Sequence, residues 1–417
     1  MLVVGAGPAG GELSRRLALA GHHVCLVDRL TGLDQAAFSS AALPLASVAD
    51  LGLPAGCVAS RWNGWRLVGP DGRERLWQQR RPLGAVLDFA ALRGWLAGEV
   101  RGWGSQVLLG WSAEAVIRNG REGALTELRD CRGRGRRRVR SRYVVDASGQ
   151  GRALISAQAA TSDQTDSGDP LIRGSGVEWL LRVDGAEWRR WSRQLSFFLG
   201  SRWIPRGYGW IFPMQEGMLK LGLCRLEVDG PARGPFRKSH AAPYAAHLRA
   251  LLQHTGLAQA AVVDRHGGRI RSRVHRGDPH QIGQLLAVGD AVSTANLLGG
   301  EGIRHAMVSG RILAELLDRA LRVGDGAGLR AYPQRLRQAL GWRWGLSGRL
   351  AVRTWCGLDS DRGDRRLQRL MDELEDRASA SDLAELLFDY RFERYGLRAL
   401  PYWLGFRRGA GGPAAGR

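Results

Sequence analysis

Apolar positions along this chain follow two rhythms. Near the amino terminus, residues 2–4 and 23–27 are short apolar runs, and residues 11–20 between them repeat their apolar positions at helical spacing. A strand, a helix and a second strand are therefore predicted there. Short apolar runs return at residues 143–146 and 285–288, and after the second of these residues 303–317 carry the single apolar face of a long helix. Between Ser196 and Glu227 two apolar strands flank a turn at residues 215–217, and Tyr208, Trp210 and Phe212 alternate along the first of them. Alternation puts all three on one face of an antiparallel sheet. Beyond Val323 the pattern becomes helical, as in LQRLMDELEDR and DLAELLFDYRFERYGLRAL.

The first thirty residues, MLVVGAGPAGGELSRRLALAGHHVCLVDRL, also carry chemistry. Gly5, Gly7 and Gly10 have the G-x-G-x-x-G spacing at the joint between strand and helix. Gly5 permits a tight turn, Gly7 lets a pyrophosphate approach the backbone, and Gly10 lets helix and strand pack closely. The helix start then offers unpaired N–H groups and a positive dipole to phosphate. Asp28 ends the second strand, 18 residues after Gly10, near the spacing of about 20 at which a carboxylate accepts ribose hydroxyls. Strand, glycines, helix, strand and acid in that order predict dinucleotide binding. His22 and His23 read as solvent-facing residues at a corner.

A second constellation lies in QLLAVGDAVSTANLLGGEGIRHAMVSGRILAELL, residues 284–317. The strand runs into Gly289 and Asp290, a loop leads to Gly299, Gly300, Glu301 and Gly302, and the long helix opens at Ile303. A third is YVVDASG at residues 143–149, with Arg152 after it. Together these closely resemble the flavin motifs of FAD-dependent oxidoreductases built like p-hydroxybenzoate hydroxylase. The resemblance implies that Asp290 holds the ribityl chain and that the helix start at Gly302 and Ile303 faces the flavin pyrimidine. A helix amino terminus stabilises the negative charge of a reduced flavin there.

The segment Tyr208-Gly-Trp210-Ile-Phe212-Pro213, followed by Gly222-Leu-Cys224, is similar to the YxWxFP…GxG signature of geranylgeranyl reductases, and GEGIRHAMVSG at residues 300–310 points to the same branch. This resemblance covers residues 1 to about 320. It implies an FAD-dependent reductase of C=C bonds in an apolar isoprenoid-type substrate, with Tyr208, Trp210 and Phe212 lining the cavity. Cys224 departs from the pattern, which has glycine at that position. An arginine that related enzymes carry at the start of the helix after the crossover is also missing from AVLDFAALRGWL, where Arg93 is out of clear register. No acid pair of the lycopene-cyclase kind is present, and Glu227 reads as a solvated strand residue. Flavin halogenases use an early lysine, whereas no lysine precedes Lys220 here. A flavin monooxygenase or hydroxylase, a lycopene-cyclase-like enzyme, and a non-catalytic or nucleic-acid-binding flavoprotein are the alternatives. No second G-x-G-x-x-G follows a strand, so a separate NADPH domain of the glutathione-reductase type is not expected; an external reductant, NADPH or ferredoxin, is compatible with the sequence, and no site for it is visible.

The fold class implied is α/β: a Rossmann-like FAD-binding domain from residues 1–51, 82–157 and 272–322, an antiparallel-sheet substrate domain from 52–81 and 158–271, and a helical carboxy-terminal region from 323–417. Charge changes this picture little. The chain has 417 residues and a formal charge of +21, with Lys220 and Lys238 the only lysines among 61 basic residues. A surface made for phosphate contact is free to use both basic residues, so the arginine excess reads as compositional background and nucleic acid is not an expected partner. The run RGRGRRRVRSR at residues 132–142 is expected to be an exposed hairpin turn. Arginines 391, 394, 398, 407 and 408 alternate with Phe392, Tyr395, Tyr402, Trp403 and Phe406, a mixture suited either to an anionic lipid surface or to packing on the protein's own core. Five cysteines without a CxxC pair support neither a zinc module nor a disulfide framework. With no apolar run long enough to span a membrane, a cytoplasmic protein with peripheral membrane contact is expected. The oligomeric state is not legible.

Overall fold

The computed structural model describes residues 1–37, 39–160, 169–229 and 244–392. The first, third and fourth short apolar runs become strands Leu2–Val4, Val144–Asp146 and Leu285–Ala287, with Leu2, Val3, Val144, Val145, Leu285 and Leu286 all fully buried. Continuous apolar runs of this kind suit strands covered on both faces, as in parallel sheets. They form the centre of a six-stranded sheet in the order Gln281–Ile282, Leu285–Ala287, Val144–Asp146, Leu2–Val4, Cys25–Asp28, Gln106–Leu109. Every pairing is parallel except that of the two-residue edge strand Gln281–Ile282. Helices Pro8–Leu19 and Ile303–Val323 pack on this sheet through Leu13, Leu17, Leu313 and Leu317. The long helix continues six residues past the predicted end, to Val323, and stops where Gly324 adopts φ +84°.

A three-stranded antiparallel sheet, Trp111–Gly120, Gly123–Asp130 and Arg136–Ser141, joins the same core through Ala113, Val116, Ala124 and Leu128. The arginine run belongs less to a turn than to its edge strand, where Arg136, Arg137 and Arg138 are exposed. Arg137 lies over the Trp111 ring at 4.6 Å and Arg138 faces Glu127 at 3.7 Å. Charge on an edge strand discourages pairing with another chain, which gives the run a structural reason.

The second large sheet has seven strands in the order Ala261–Arg273, Leu171–Arg182, Met218–Asp229, Gly207–Pro213, Gln194–Leu199, Gly64–Val68, Glu74–Gln78. It is antiparallel except where Gln194–Leu199 meets Gly64–Val68. A small sheet of Ala42–Pro44, Gly84–Leu87 and Val58–Trp62 stands beside it. Helices Arg343–Trp355, Asp361–Arg377 and Ala380–Phe388 cover the larger sheet, and Trp355, Met371, Leu374 and Phe388 share a core with Trp62, Trp65, Tyr208 and Trp210. Polar ties hold that cover in place. Trp65 Nε1 donates to the Ala380 carbonyl at 2.9 Å, and the fully buried Arg75 reaches Asp372 at 2.5 Å.

Of the basic-aromatic tail, Arg391 is exposed, and Phe392 is buried against Tyr390. Arg394, Tyr395, Arg398, Tyr402, Trp403, Phe406, Arg407 and Arg408 lie outside the described residues. Among the described residues no helix is long and apolar enough to cross a membrane.

Candidate active site

The amino-terminal turn is shaped by what its glycines leave out. Gly5 has φ +112°, and a Cβ there would lie 2.3 Å from the Ala147 carbonyl oxygen. A Cβ on Gly10 would lie 2.0 Å from the Gly5 carbonyl oxygen, so the helix seats against the turn only without a side chain. Gly7 differs, because nothing lies within 4 Å of its Cβ position. Space stands open in front of the loop, and the helix start behind it, with Gly7 as N-cap and Pro8 following, has no side-chain cap. Unpaired N–H groups facing open space form a ready anion site.

Asp28 is engaged with this loop. Its Oδ2 accepts the Ala6 N–H at 2.7 Å and its Oδ1 accepts the Leu30 N–H at 2.9 Å. A carboxylate offers about four lone-pair sites, so capacity for further donors remains. Arg93, whose register was unclear in the sequence, is buried over the same loop. It donates from Nε to the Ala6 carbonyl at 3.4 Å and from Nη1 to the Gln35 carbonyl at 3.0 Å.

The second turn packs on the first. Gly289 has φ +68°, and its N–H donates to Ser309 Oγ of the long helix at 3.0 Å. Asp290 accepts the Thr294 hydroxyl at 3.2 Å, and burial pushes its pKa up to about 6. A tight loop then returns the chain: the Asn296 N–H donates to the Glu301 carbonyl at 2.7 Å, and the Glu301 N–H to the Asn296 carbonyl at 3.0 Å. Arg304 clamps the Glu301 carboxylate at 2.7 and 2.8 Å, and also reaches the Phe388 carbonyl at 2.5 Å. Gly300, with φ +67°, passes so near the aromatic strand that a Cβ would lie 2.4 Å from Tyr208 Oη. Gly302 is the N-cap of the long helix, again with no side-chain cap.

A cavity of about 310 Å³ opens between these turns and the large sheet. Pro8, Ala9, Asp290, Gly300, Gly302 and Ile303 form one wall; Phe197, Tyr208, Trp210, Phe212, Cys224 and Phe388 form another. Gly5, Gly7, Gly10, Asp28 and Gly289 stand behind the first wall and do not line this cavity. The expected alternation places Tyr208, Trp210 and Phe212 together on it.

The partners of those three rings come from remote parts of the chain. Cross-strand register sets Tyr208 opposite Cys224, Trp210 opposite Gly222 and Phe212 opposite Lys220. The indole of Trp210 lies across Gly222, whose Cβ would sit 2.3 Å from the ring, and donates from Nε1 to Glu178 Oε2 at 2.9 Å. Burial pushes the Glu178 carboxyl up, against the opposing pull of Lys220. Lys220 Nζ donates to the Ser39 carbonyl at 2.7 Å. Phe197 packs edge-on to Phe212 at 5.3 Å, Tyr208 lies 4.8 Å from Trp355, and Phe388 fits between Trp62 at 6.0 Å and Trp65 at 5.9 Å. Edge-on and tilted pairs of this kind stabilise beyond their buried area. Sequence reasoning missed Glu178, Phe197 and Phe388; for Glu178 the available signal was a lone acid inside the apolar strand LIRGSGVEWLLR. Glu227 is exposed, and among the described residues no cluster of His, Cys, Asp and Glu could hold a metal ion.

Two capless helix starts at the carboxyl ends of a parallel sheet face a cavity roofed by an antiparallel sheet, an arrangement fit for a dinucleotide cofactor. No family model matches the chain. It is 26% identical over 336 residues to a digeranylgeranylglycerophospholipid reductase of Haloferax volcanii, covering 77% of this chain and 76% of that one. It is 24% identical over 341 residues to a chloroplastic geranylgeranyl diphosphate reductase of Oryza sativa subsp. japonica, covering 76% and 65%. Among solved structures, a geranylgeranyl bacteriochlorophyll reductase-like protein of Thermoplasma acidophilum superposes with a TM-score of 0.75 at 21% identity, covering 96% of this chain and 98% of that one. The chain is thus similar to geranylgeranyl reductases over about three quarters of its length, and shares the fold of a reductase-like protein.

Proposed function

We propose that this protein saturates C=C bonds of an apolar isoprenoid-type chain with reduced FAD. The observation that carries this reading is the single cavity that joins the two capless helix starts to an aromatic wall. The residues present fit the cofactor. The open face at Gly7 suits a pyrophosphate, with Gly5 and Gly10 shaping the turn and Asp28 offering its remaining lone pairs to ribose hydroxyls. Asp290 and the Gly289 turn would hold the ribityl chain, and the Gly300–Ile303 segment would aim the long helix at the pyrimidine edge. Bound and reduced, FAD supplies a hydride to a carbon of the substrate double bond.

The protein's own part is orientation and exclusion. Tyr208, Trp210 and Phe212 present an apolar surface that displaces water from an alkene, and Glu178 holds the Trp210 indole flat against Gly222. The positive end of the long helix favours the anionic form of a reduced flavin. Electrons come from an external donor, NADPH or ferredoxin, and the apolar substrate implies peripheral contact with a membrane surface.

Anaerobic reduction of the FAD-loaded protein, followed by mixing with a geranylgeranylated lipid, is expected to yield a saturated product by mass spectrometry. Lipid-stimulated oxygen consumption with a hydroxylated product overturns the reading.

A further inference from the structure

Saturating a C=C bond adds a hydride to one carbon and a proton to the other. The reading above, on which this inference rests, gives the hydride a source and leaves the proton without one. Most exchangeable protons on the cavity wall are engaged elsewhere. Trp210 Nε1–H is given to Glu178 at 2.9 Å, and the Asn296 amide to Ser347 Oγ at 2.5 Å. The Ser175 hydroxyl is paired with Tyr244 at 2.8 Å, and the Glu301 carboxylate is clamped by Arg304. Arg269 is exposed, and a guanidinium holds its proton too tightly to serve. Ser39 and Ser40 carry alcohols, far weaker acids than a phenol.

Asp290 also stands on the wall, but with a pKa of about 6 it is ionised through the neutral range and carries no proton to give. Tyr208 and Cys224 remain, side by side in register. The thiol stands on a short side chain close to its strand. The phenol reaches across the cavity, because Tyr208 Oη lies 2.4 Å from the Cβ position of Gly300, on the loop that leads to the long helix. Its ring is packed by Trp355 at 4.8 Å and Phe197 at 5.9 Å, so the hydroxyl is held at the seam between the cofactor wall and the aromatic wall. Its polar neighbour, the Cys224 thiol, is a weak acceptor that leaves the hydroxyl's proton available.

We infer that Tyr208 is the catalytic acid of the reduction. The hydride from reduced FAD forms one new C–H bond, the π pair of the alkene takes the Tyr208 proton to form the second, and the flavin is left oxidised. The tyrosinate regains its proton from water at the cavity mouth. Burial raises the Tyr208 pKa well above the ordinary phenol value, so the acid form persists throughout the neutral range.

The test compares FAD-loaded wild type and Tyr208→Phe, both reduced anaerobically in D2O and given a geranylgeranylated lipid. The wild type is expected to place deuterium on both former alkene carbons, because the hydrogen on N5 of reduced flavin and the phenol proton both exchange with D2O, and the variant to saturate the lipid roughly 100-fold more slowly. FAD affinity, read by flavin fluorescence quenching, and lipid affinity, read by the flavin absorbance change of the oxidised protein, are expected to stay within about twofold, since only a hydroxyl is removed. A variant that works at the wild-type rate, or a wild-type product lacking deuterium on either carbon, overturns Tyr208 as the acid while leaving the reductase reading intact. Loss of FAD or lipid binding together with rate makes the hydroxyl structural and also overturns it. A wild type that leaves the lipid unsaturated overturns both inferences.

Discussion

The two walls of the cavity are built on opposite principles. The cofactor wall is made of backbone: Gly300 and Gly302 on it, and Gly5, Gly7, Gly10 and Gly289 behind it, leave atoms out so that turns can close and helix starts can stand open. The aromatic wall is made of side chains, with Phe197, Tyr208, Trp210, Phe212 and Phe388 filling space between a sheet and a helical cover. One wall is vulnerable to atoms added, the other to atoms removed.

Substitutions can break this contrast, and the largest effect is expected in the aromatic wall. Phe388→Ala empties a site wedged between Trp62 and Trp65 and is expected to cost about 3–5 kcal/mol, read as a lowered urea midpoint with FAD affinity little changed. Gly10→Ala is the converse. Its Cβ would meet the Gly5 carbonyl at 2.0 Å, which is expected to cost about 1–3 kcal/mol and to weaken FAD binding at least tenfold by equilibrium dialysis. If Gly10→Ala binds FAD normally, the cofactor wall does not depend on excluded atoms.

Asp290 sharpens the contrast through pH. Its folded pKa of about 6 is raised from 3.8, so its contribution to the apoprotein's stability is fully present below the unfolded value and lost as pH rises through 6. Solvent reaching this partly buried group limits the effect to about 1 kcal/mol. Thermal melts of the apoprotein between pH 5 and 7.5 are expected to show a decline that Asp290→Asn lacks, and an identical decline in the variant refutes the assignment. The smallest effect is expected outside both walls. Arg138→Gln, on the exposed edge strand, is expected to move stability by less than about 0.5 kcal/mol and to leave FAD affinity as it was.

The same contrast explains how much could be read in advance. Gly5, Gly7, Gly10 and Asp28 lie within one strand-helix-strand unit, so their spacing alone predicts the tight turn, the open helix start and the acid beside it. Tyr208, Trp210 and Phe212 were legible as one face of a strand because a strand alternates. Arg93 was not, since its usefulness depends on which turn of its helix passes over Ala6 and Gln35. Glu178 was not singled out either, because only the register across Gly222 brings it within reach of the Trp210 indole. The arginine run at residues 132–142 carried no signal separating turn from edge strand, because its place at the edge follows from pairing with Gly123–Asp130 alone.

By itself the sequence determined the parts whose geometry is local: the open turn at Gly7, the capless helix starts and the one-sided aromatic strand, each set by steric exclusion or side-chain periodicity over a few residues. The tertiary structure alone decided that Phe388 from the helical cover and Phe197 from a neighbouring strand complete the wall, and that Tyr208 Oη meets the Gly300 loop. Contacts between such distant segments arise from packing in the closed core, and no short-range pattern encodes them.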